Sequence, residues 1–531
     1  MTGIPRVVAQ SYYRVVSGYY RLAESIQDYF NLSRRLNLLI FAIALLGSIG
    51  IAVSVQYEAW VGTILLMLVM VLVPMMTVYP ELIVVGILLC VASVVSPFLW
   101  DRIFLGERGI TLPNLLISLG LVVVLFRHLT GKTSPVKLWL SPSSIAIIAF
   151  LILTVPVGLL YHYLFRGWSI RSQLSEMEYM LAWLTFFIAI GIMRTERAVR
   201  NLQVGLLLVA GIGALATVLQ ALLGPRALFF LRLAEWDIPL RDTEGLLRVL
   251  PPGQYLVLVS LVISAQMSTV RDGPRRWGWI VLTALYGLAI LFTLTRHSWF
   301  GALFGLGIIW LFGSSRTKVN LLLIAFVTVA VVGSLTLFAR PAWVTQPTDI
   351  VAKLQRRFIS TFTEPPNRYT YGVPSSVGQR IFEMHYIMDR LPESPWFGLG
   401  WGTKHPLRVT KSPYVGSTYE MRTYIHNSIL WILGKGGIVG LVGLLILLVT
   451  GMVRGYILYK RTSPNETYVR SWLLALWISW LMLLLAAQFE PVFWTKNRLV
   501  APAMILALME GIYYFSTKNT RNAQTAEAQT R

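Results

Sequence analysis

The feature that most constrains this chain is a series of apolar windows, each long enough to cross a bilayer, recurring from Leu36 to the neighbourhood of Ser516. About 20 consecutive apolar residues span the hydrocarbon core as a helix. Such windows lie near residues 36–55, 58–78, 81–99, 111–126, 143–165, 177–193, 199–222, 252–269, 277–294, 298–313, 319–337, 427–452, 470–489 and 496–516. One long interruption separates the last three from the rest. A soluble globule is excluded by 56% hydrophobic and 13% charged residues and a mean hydropathy of +0.64, because a chain so apolar has too little polar surface to face water. The expected fold is all-α, a polytopic membrane bundle of about 12–14 transmembrane helices. One large extracytoplasmic loop is expected to contain two short helices, near 349–360 and 376–391.

The expected segmentation is an N-terminal interfacial helix over 1–35, membrane helices over 36–337, a loop over 338–426, membrane helices over 427–516 and a tail over 517–531. Tyr12, Val15, Val16, Tyr19, Leu22, Ile26, Tyr29 and Phe30 recur at helical spacing opposite Arg14, Arg21, Glu24 and Asp28, the pattern of a helix lying in the membrane surface. The N-terminus has no short apolar core followed by a small-residue cleavage site, so the first span is expected to be retained. Cys90 stands alone, which leaves no disulfide framework and no cysteine metal site.

Orientation is set by the short connections, since cytoplasmic loops hold an excess of Lys and Arg. With the N-terminus inside, Arg127/Lys132/Lys137, Arg194/Arg197/Arg200, Arg271/Arg275/Arg276, Arg316/Lys318 and Arg454/Lys460/Arg461/Arg470 all fall on the cytoplasmic side. Both termini are then cytoplasmic. The segment from Leu223 to Pro251, the turn around Arg296 and the long loop from Phe338 to Ile425 fall outside. That outer side is itself basic, with Arg226, Arg232, Arg241, Arg248, Arg296, Arg340, Arg380, Arg390, Lys496 and Arg498 among its residues. Long translocated loops escape the charge bias, so such residues need only touch lipid phosphates. An anionic ligand at headgroup level, such as a diphosphate, would also call for them, because the guanidinium fork matches phosphate oxygens.

Three residues stand out as chemistry-bearing. Arg296, in Leu294-Thr295-Arg296-His297-Ser298-Trp299, is held between two windows that leave almost no loop. Arg248 precedes the Pro251-Pro252-Gly253 break at a span entry and shares the outer face with Arg296. Arginines at helix ends also snorkel to the interface, but two at one depth can clamp a diphosphate and stabilise charge on a leaving group. His426 stands where the long loop returns to the membrane, with Asn427 or Ser428 placed to cap the new helix. The positive end of that helix disfavours an imidazolium, which keeps His426 available as a base. His128, His162, His297, His385 and His405 show no metal-ligand spacing, and Asp242-Thr243-Glu244 is a single acidic cluster. Gly398-Leu399-Gly400-Trp401-Gly402 reads as a tight turn, and Gly436, Gly437 and Gly440 as small residues that permit close helix packing.

The ordered set resembles the O-antigen ligase and O-antigen polymerase superfamily of GT-C-type membrane glycosyltransferases. The resemblance rests on Thr295-Arg296 with Ser298-Trp299 at a span start, Gln379-Arg380 opening a helical stretch in the long loop, and Pro395-Trp396-Phe397-Gly398-Leu399-Gly400. His426-Asn427-Ser428 comes next, with Gly434, Gly436, Gly437 and Gly440 in the adjoining span. It covers roughly residues 245–450. Thr295 and His297 flank the arginine where the family has Ser and a small residue.

The resemblance implies a metal-independent, inverting transfer at the outer face of a bacterial cytoplasmic membrane, with no cofactor. The partners would be an undecaprenyl-diphosphate-linked glycan as donor, a lipid, glycan or protein hydroxyl as acceptor, and membrane lipids, with no nucleic acid. Arg248 and Arg296 would hold the diphosphate, His426 would take the acceptor proton, and Arg380 and Asn427 would contribute to substrate binding, Arg380 by ordering the loop or the donor sugar. Ligase and polymerase differ only in the acceptor, and the motif order favours the ligase. A solute transporter is the alternative of another class. It would show internal repeats and polar midplane residues, whereas here the polar residues collect on one side.

Overall fold

The structure is a computed structural model. It describes residues 79–92, 112–129, 134–223, 249, 253–270, 273–334, 355, 359, 369–370, 373–374, 376–412, 416–422, 425–490, 492–493 and 496–530. The expected interfacial helix over 1–35, Arg248, and all but two residues of the expected loop helix near 349–360 lie outside the described residues. The chain forms two compact units, Met1–Ile83 and Val84–Arg531, and every element from Leu112 onward belongs to the second.

The helices of this second unit include α1 (Leu112–Leu129), α2 (Pro142–Thr154), α3 (Pro156–Arg166), a short α4 (Ile170–Met177), α5 (Leu184–Ile192), α6 (Glu196–Leu223), α7 (Gln254–Met267), α8 (Pro274–Phe292), α9 (Arg296–Phe312) and α10 (Ser315–Ser334). After the loop, with its helix α11 (Ser376–Arg390), come α12 (Ser428–Arg461), α13 (Thr467–Ala486) and α14 (Lys496–Thr530). Six helical segments among the described residues are long and apolar enough to cross a membrane: Leu112–Leu129, Pro142–Arg166, Glu196–Ala221, Ser428–Arg461, Thr467–Ala486 and Arg498–Lys518.

A helix that is apolar all round belongs inside a bundle. Accordingly α7 is buried from Gln254 to Ala265, and the apolar stretch of α14 is 83% buried. The outer helices α1 and α10 instead expose Val122, Leu125, Phe326 and Val329, an apolar surface that suits lipid and would be a liability in water. The chain is a helical, multi-pass membrane protein.

The loop holds more than helices. β1 (Tyr369–Thr370) pairs with β2 (Val373–Pro374), and β3 (His405–Ser412) pairs antiparallel with β4 (Gly416–Arg422). The β-branched and aromatic residues Val409, Thr410, Thr418 and Tyr419 favour the extended backbone there. The second expected loop helix is α11, with the buried Glu383 and Ile387 along one side.

The glycine-rich start of α12 is a break, not merely a close-packing surface. Gly437 takes φ +63 inside the helix, a left-handed conformation that only glycine adopts without strain. The carbonyl and amide groups freed by the break bond the loop segment after α11. Leu399 N donates to Gly434 O (2.7 Å), Gly400 N to Lys435 O (3.2 Å), Ile438 N to Pro395 O (2.9 Å) and Val439 N to Trp396 O (3.0 Å). Gly398, also left-handed at φ +71, lies so close that a Cβ on either glycine would overlap the other's backbone. Trp401 Nε1 then donates to Thr154 O (2.9 Å), and His162 Nε2 to Phe397 O (3.1 Å). The turn expected from the glycines of 398–402 is therefore a plug seated between α2, α3 and the broken α12.

Candidate active site

His426 is positioned by its two neighbours. Asn427 caps α12, its Oδ1 accepting from Ile429 N (2.8 Å) and Leu430 N (3.0 Å), and its Nδ2 donates to Gln488 O (3.0 Å). Ser428 N donates to Ala487 O (2.9 Å) and its hydroxyl to Glu490 O (2.9 Å). These bonds stitch the start of α12 to the turn after α13, so the histidine cannot move independently of residues 487–490.

The imidazole itself meets a carboxylate to which no sequence motif points. Glu383, on α11, has a side chain 1% exposed, and its Oε1 lies 2.8 Å from His426 Nδ1. The other oxygen, Oε2, accepts the His426 backbone N–H at 2.9 Å. Gln379, one helical turn earlier, donates to Oε1 at 3.3 Å. The expectation of a neutral base at a helix end rests on the helix alone; the structure adds this acidic partner. A glutamate on the same buried stripe as Ile387 is the available signal, since an acid in that place is rarely buried without a partner.

A second acid, Glu490, forms the centre of a basic cluster. Arg498 Nη1 pairs with its Oε2, and His297 Nδ1 lies 3.5 Å from its Oε1. Burial alone would push this carboxyl up, but the charge of Arg498, with smaller contributions from the groups around it, outweighs burial and holds it at about 2. His297, which has no ligand spacing in the sequence, stands at this cluster, its ring stacked on Tyr255 with centroids 6.2 Å apart. Arg498 lies over the same Tyr255 ring, 5.8 Å from its centroid.

Arg380 donates from Nε (3.3 Å) and Nη2 (3.1 Å) to Phe489 O. It ties α11 to the same turn that holds His426.

Arg296 opens α9, immediately before His297. The turn that presents it is tight and strained: Leu294 has φ +50, uncommon for a branched residue, and Thr295 Oγ1 donates to Thr293 O (2.9 Å). Trp299 Nε1 clamps α9 back onto α8 through Ile290 O (3.1 Å) and Leu291 O (3.3 Å).

The structure therefore gathers His426, Asn427 and Arg380 at one turn, brings in Glu383, Glu490, His297 and Arg498, and sets Arg296 next to that group in sequence. Among the described residues no three His, Cys, Asp or Glu side chains group as a metal site.

No curated protein matches the chain. Residues 281–445 match the family model described as O-antigen ligase, a stretch that runs from α8 into α12 and contains Arg296, His297, Arg380, Glu383, His426 and Asn427. The part of the chain that carries these residues is thus similar to the O-antigen ligase family.

Proposed function

We propose that this protein is an O-antigen ligase-like glycosyltransferase that moves a glycan from undecaprenyl diphosphate to an acceptor hydroxyl, at the outer face of a bacterial cytoplasmic membrane. The observation that carries the reading is His426, fixed by Glu383 and by the capped start of α12 at an end of the bundle that collects basic side chains. The reaction needs a base for the hydroxyl and positive charge for the departing diphosphate, and this end of the molecule holds both.

In the proposed step the acceptor oxygen attacks the anomeric carbon, the bond from that carbon to the diphosphate oxygen breaks, and polyprenyl diphosphate leaves with the bonding pair. The hydroxyl proton passes to His426 Nε2. Attack opposite the leaving group inverts the anomeric centre. Arg296, with Arg248, binds the diphosphate and stabilises its charge, and no metal is assigned a part. Arg380 holds the loop over the site, and Asn427 contributes to substrate binding from beside the base. Both termini are cytoplasmic in this reading. The ligase is preferred over a polymerase of the same superfamily on the motif order and the family description.

The test is release of free polyprenyl diphosphate from a lipid-linked oligosaccharide by the purified full chain in detergent, with and without a lipid acceptor. Release that depends on the acceptor supports the ligase, and a product ladder without added acceptor indicates the polymerase. His426→Ala should lower transfer by about 100-fold or more, and Arg296→Ala or Arg248→Ala should abolish it with membrane insertion intact. A fully active His426→Ala protein rules out the proposed base.

A further inference from the structure

Both oxygens of the buried Glu383 carboxylate are occupied by donors at His426: the backbone N–H on Oε2 and the ring Nδ1 on Oε1, with the Gln379 amide as a third donor. An ionised carboxylate has acceptors alone to offer. Nδ1 must then carry the ring proton, and the lone pair of the imidazole sits on Nε2. From this geometry we infer that Glu383 is the positioning residue for the transferase base: it selects the His426 tautomer, orients the ring, and balances the positive charge created when the acceptor proton arrives. This rests on the reading of His426 as the base.

The chemistry is that of a base oriented by a third group, in which the carboxylate accepts no proton and the ring makes the transfer. Here the acceptor O–H breaks, its proton forms the new Nε2–H bond, and the Nδ1–H stays on the ring, directed at Glu383. The carboxylate reaches His426 from a different part of the chain, 43 positions earlier. α11 thereby contributes to the reaction without touching the substrate. Gln379 braces the arrangement from the preceding turn of the same helix.

The experiment compares the full chain with Glu383→Gln, Glu383→Asp and His426→Ala, in detergent, using a lipid-linked oligosaccharide donor and the acceptor on which the unmodified protein releases polyprenyl diphosphate. Glu383→Gln keeps the shape and removes the charge, so kcat should fall by about 100-fold or more while KM for the donor stays within about threefold. Glu383→Asp restores the charge at shorter reach and should recover at least about tenfold over Gln. A purely structural role would instead lower the melting temperature and would not distinguish Asp from Gln in kcat. If Gln does not fold, Asp decides alone: reduced kcat at unchanged KM supports the assignment, and kcat equal to that of the unmodified protein overturns it. An inactive His426→Ala beside a fully active Glu383→Gln overturns the role of Glu383 alone, and an active His426→Ala overturns the base on which it rests.

Discussion

Lys435 Nζ lies 3.1 Å from Glu176 Oε2, and the two side chains are 4% and 3% exposed. Lys435 also donates to Thr403 O, and Gly402 N donates to the same carboxylate oxygen. The pair thus pins the loop plug to both α4 and α12. Removing one partner of a buried pair leaves the other charge uncompensated, at a cost of about 3–5 kcal/mol. Lys435→Met should therefore depress the melting temperature strongly, and the double variant Glu176→Gln/Lys435→Met should be less affected than the sum of the singles. Additive losses in thermal unfolding would contradict the coupling.

Gly437 and Gly440 are three residues apart and should differ sharply in their response to alanine. Gly437→Ala forces a left-handed φ on a residue with a Cβ, about 1–3 kcal/mol, and drives that atom into the backbone of Trp396 and Gly398. A Cβ on Gly440 would meet Ile432 and Thr154 at ordinary contact distances, 3.4 Å and beyond. Thermal unfolding should show a large loss for the first and little for the second, and equal losses would argue against the break as described.

Glu490 sets an expected pH dependence. Its carboxyl is held below its ordinary value of 4.5, at about 2, so the folded protein favours the ionised form. The stability this contributes is present above about 4.5 and is lost as the pH falls from there towards about 2. Glu490→Gln should be less stable than the unmodified protein at neutral pH, because Arg498 loses this counter-charge, and the difference should narrow on acidification. Melting curves that stay parallel through that window would sink the idea.

Arg380 binds one carbonyl with two N–H groups, a fork that lysine cannot reproduce. Arg380→Ala and Arg380→Lys should both loosen α11 from the turn at Phe489 and speed proteolytic cleavage around 376–390, with a smaller loss of transfer than His426→Ala. Unchanged cleavage in both variants would show that this contact does not hold the helix.

The all-helical membrane architecture was legible because lipid allows so few solutions to a chain of long apolar windows. A cap at Asn427 or Ser428 was legible too, since capping is a local matter of residue type and position, and the structure uses Asn427. What escaped depends on partners far apart in sequence. Glu383 reaches His426 over 43 residues, and Glu490 meets His297 from beyond the loop; neither acid carries a local signal stronger than its place in an apolar stretch. Four glycines between 434 and 440 were all compatible with close packing. Choosing Gly437 as the one that breaks the helix requires knowing that a loop segment returns to bond there.

That break changes what the long helix does for the histidine. From Ser428 to Gly436 the backbone is a stub of about two and a half turns, joined to the remainder of α12 by one left-handed residue and sutured to the plug and the 487–490 turn. His426 is accordingly mounted on the loop's framework rather than on the membrane span that comes after it in sequence. Lengthening or remodelling the loop would re-aim the histidine, while the rest of α12 could vary in sequence without disturbing its aim.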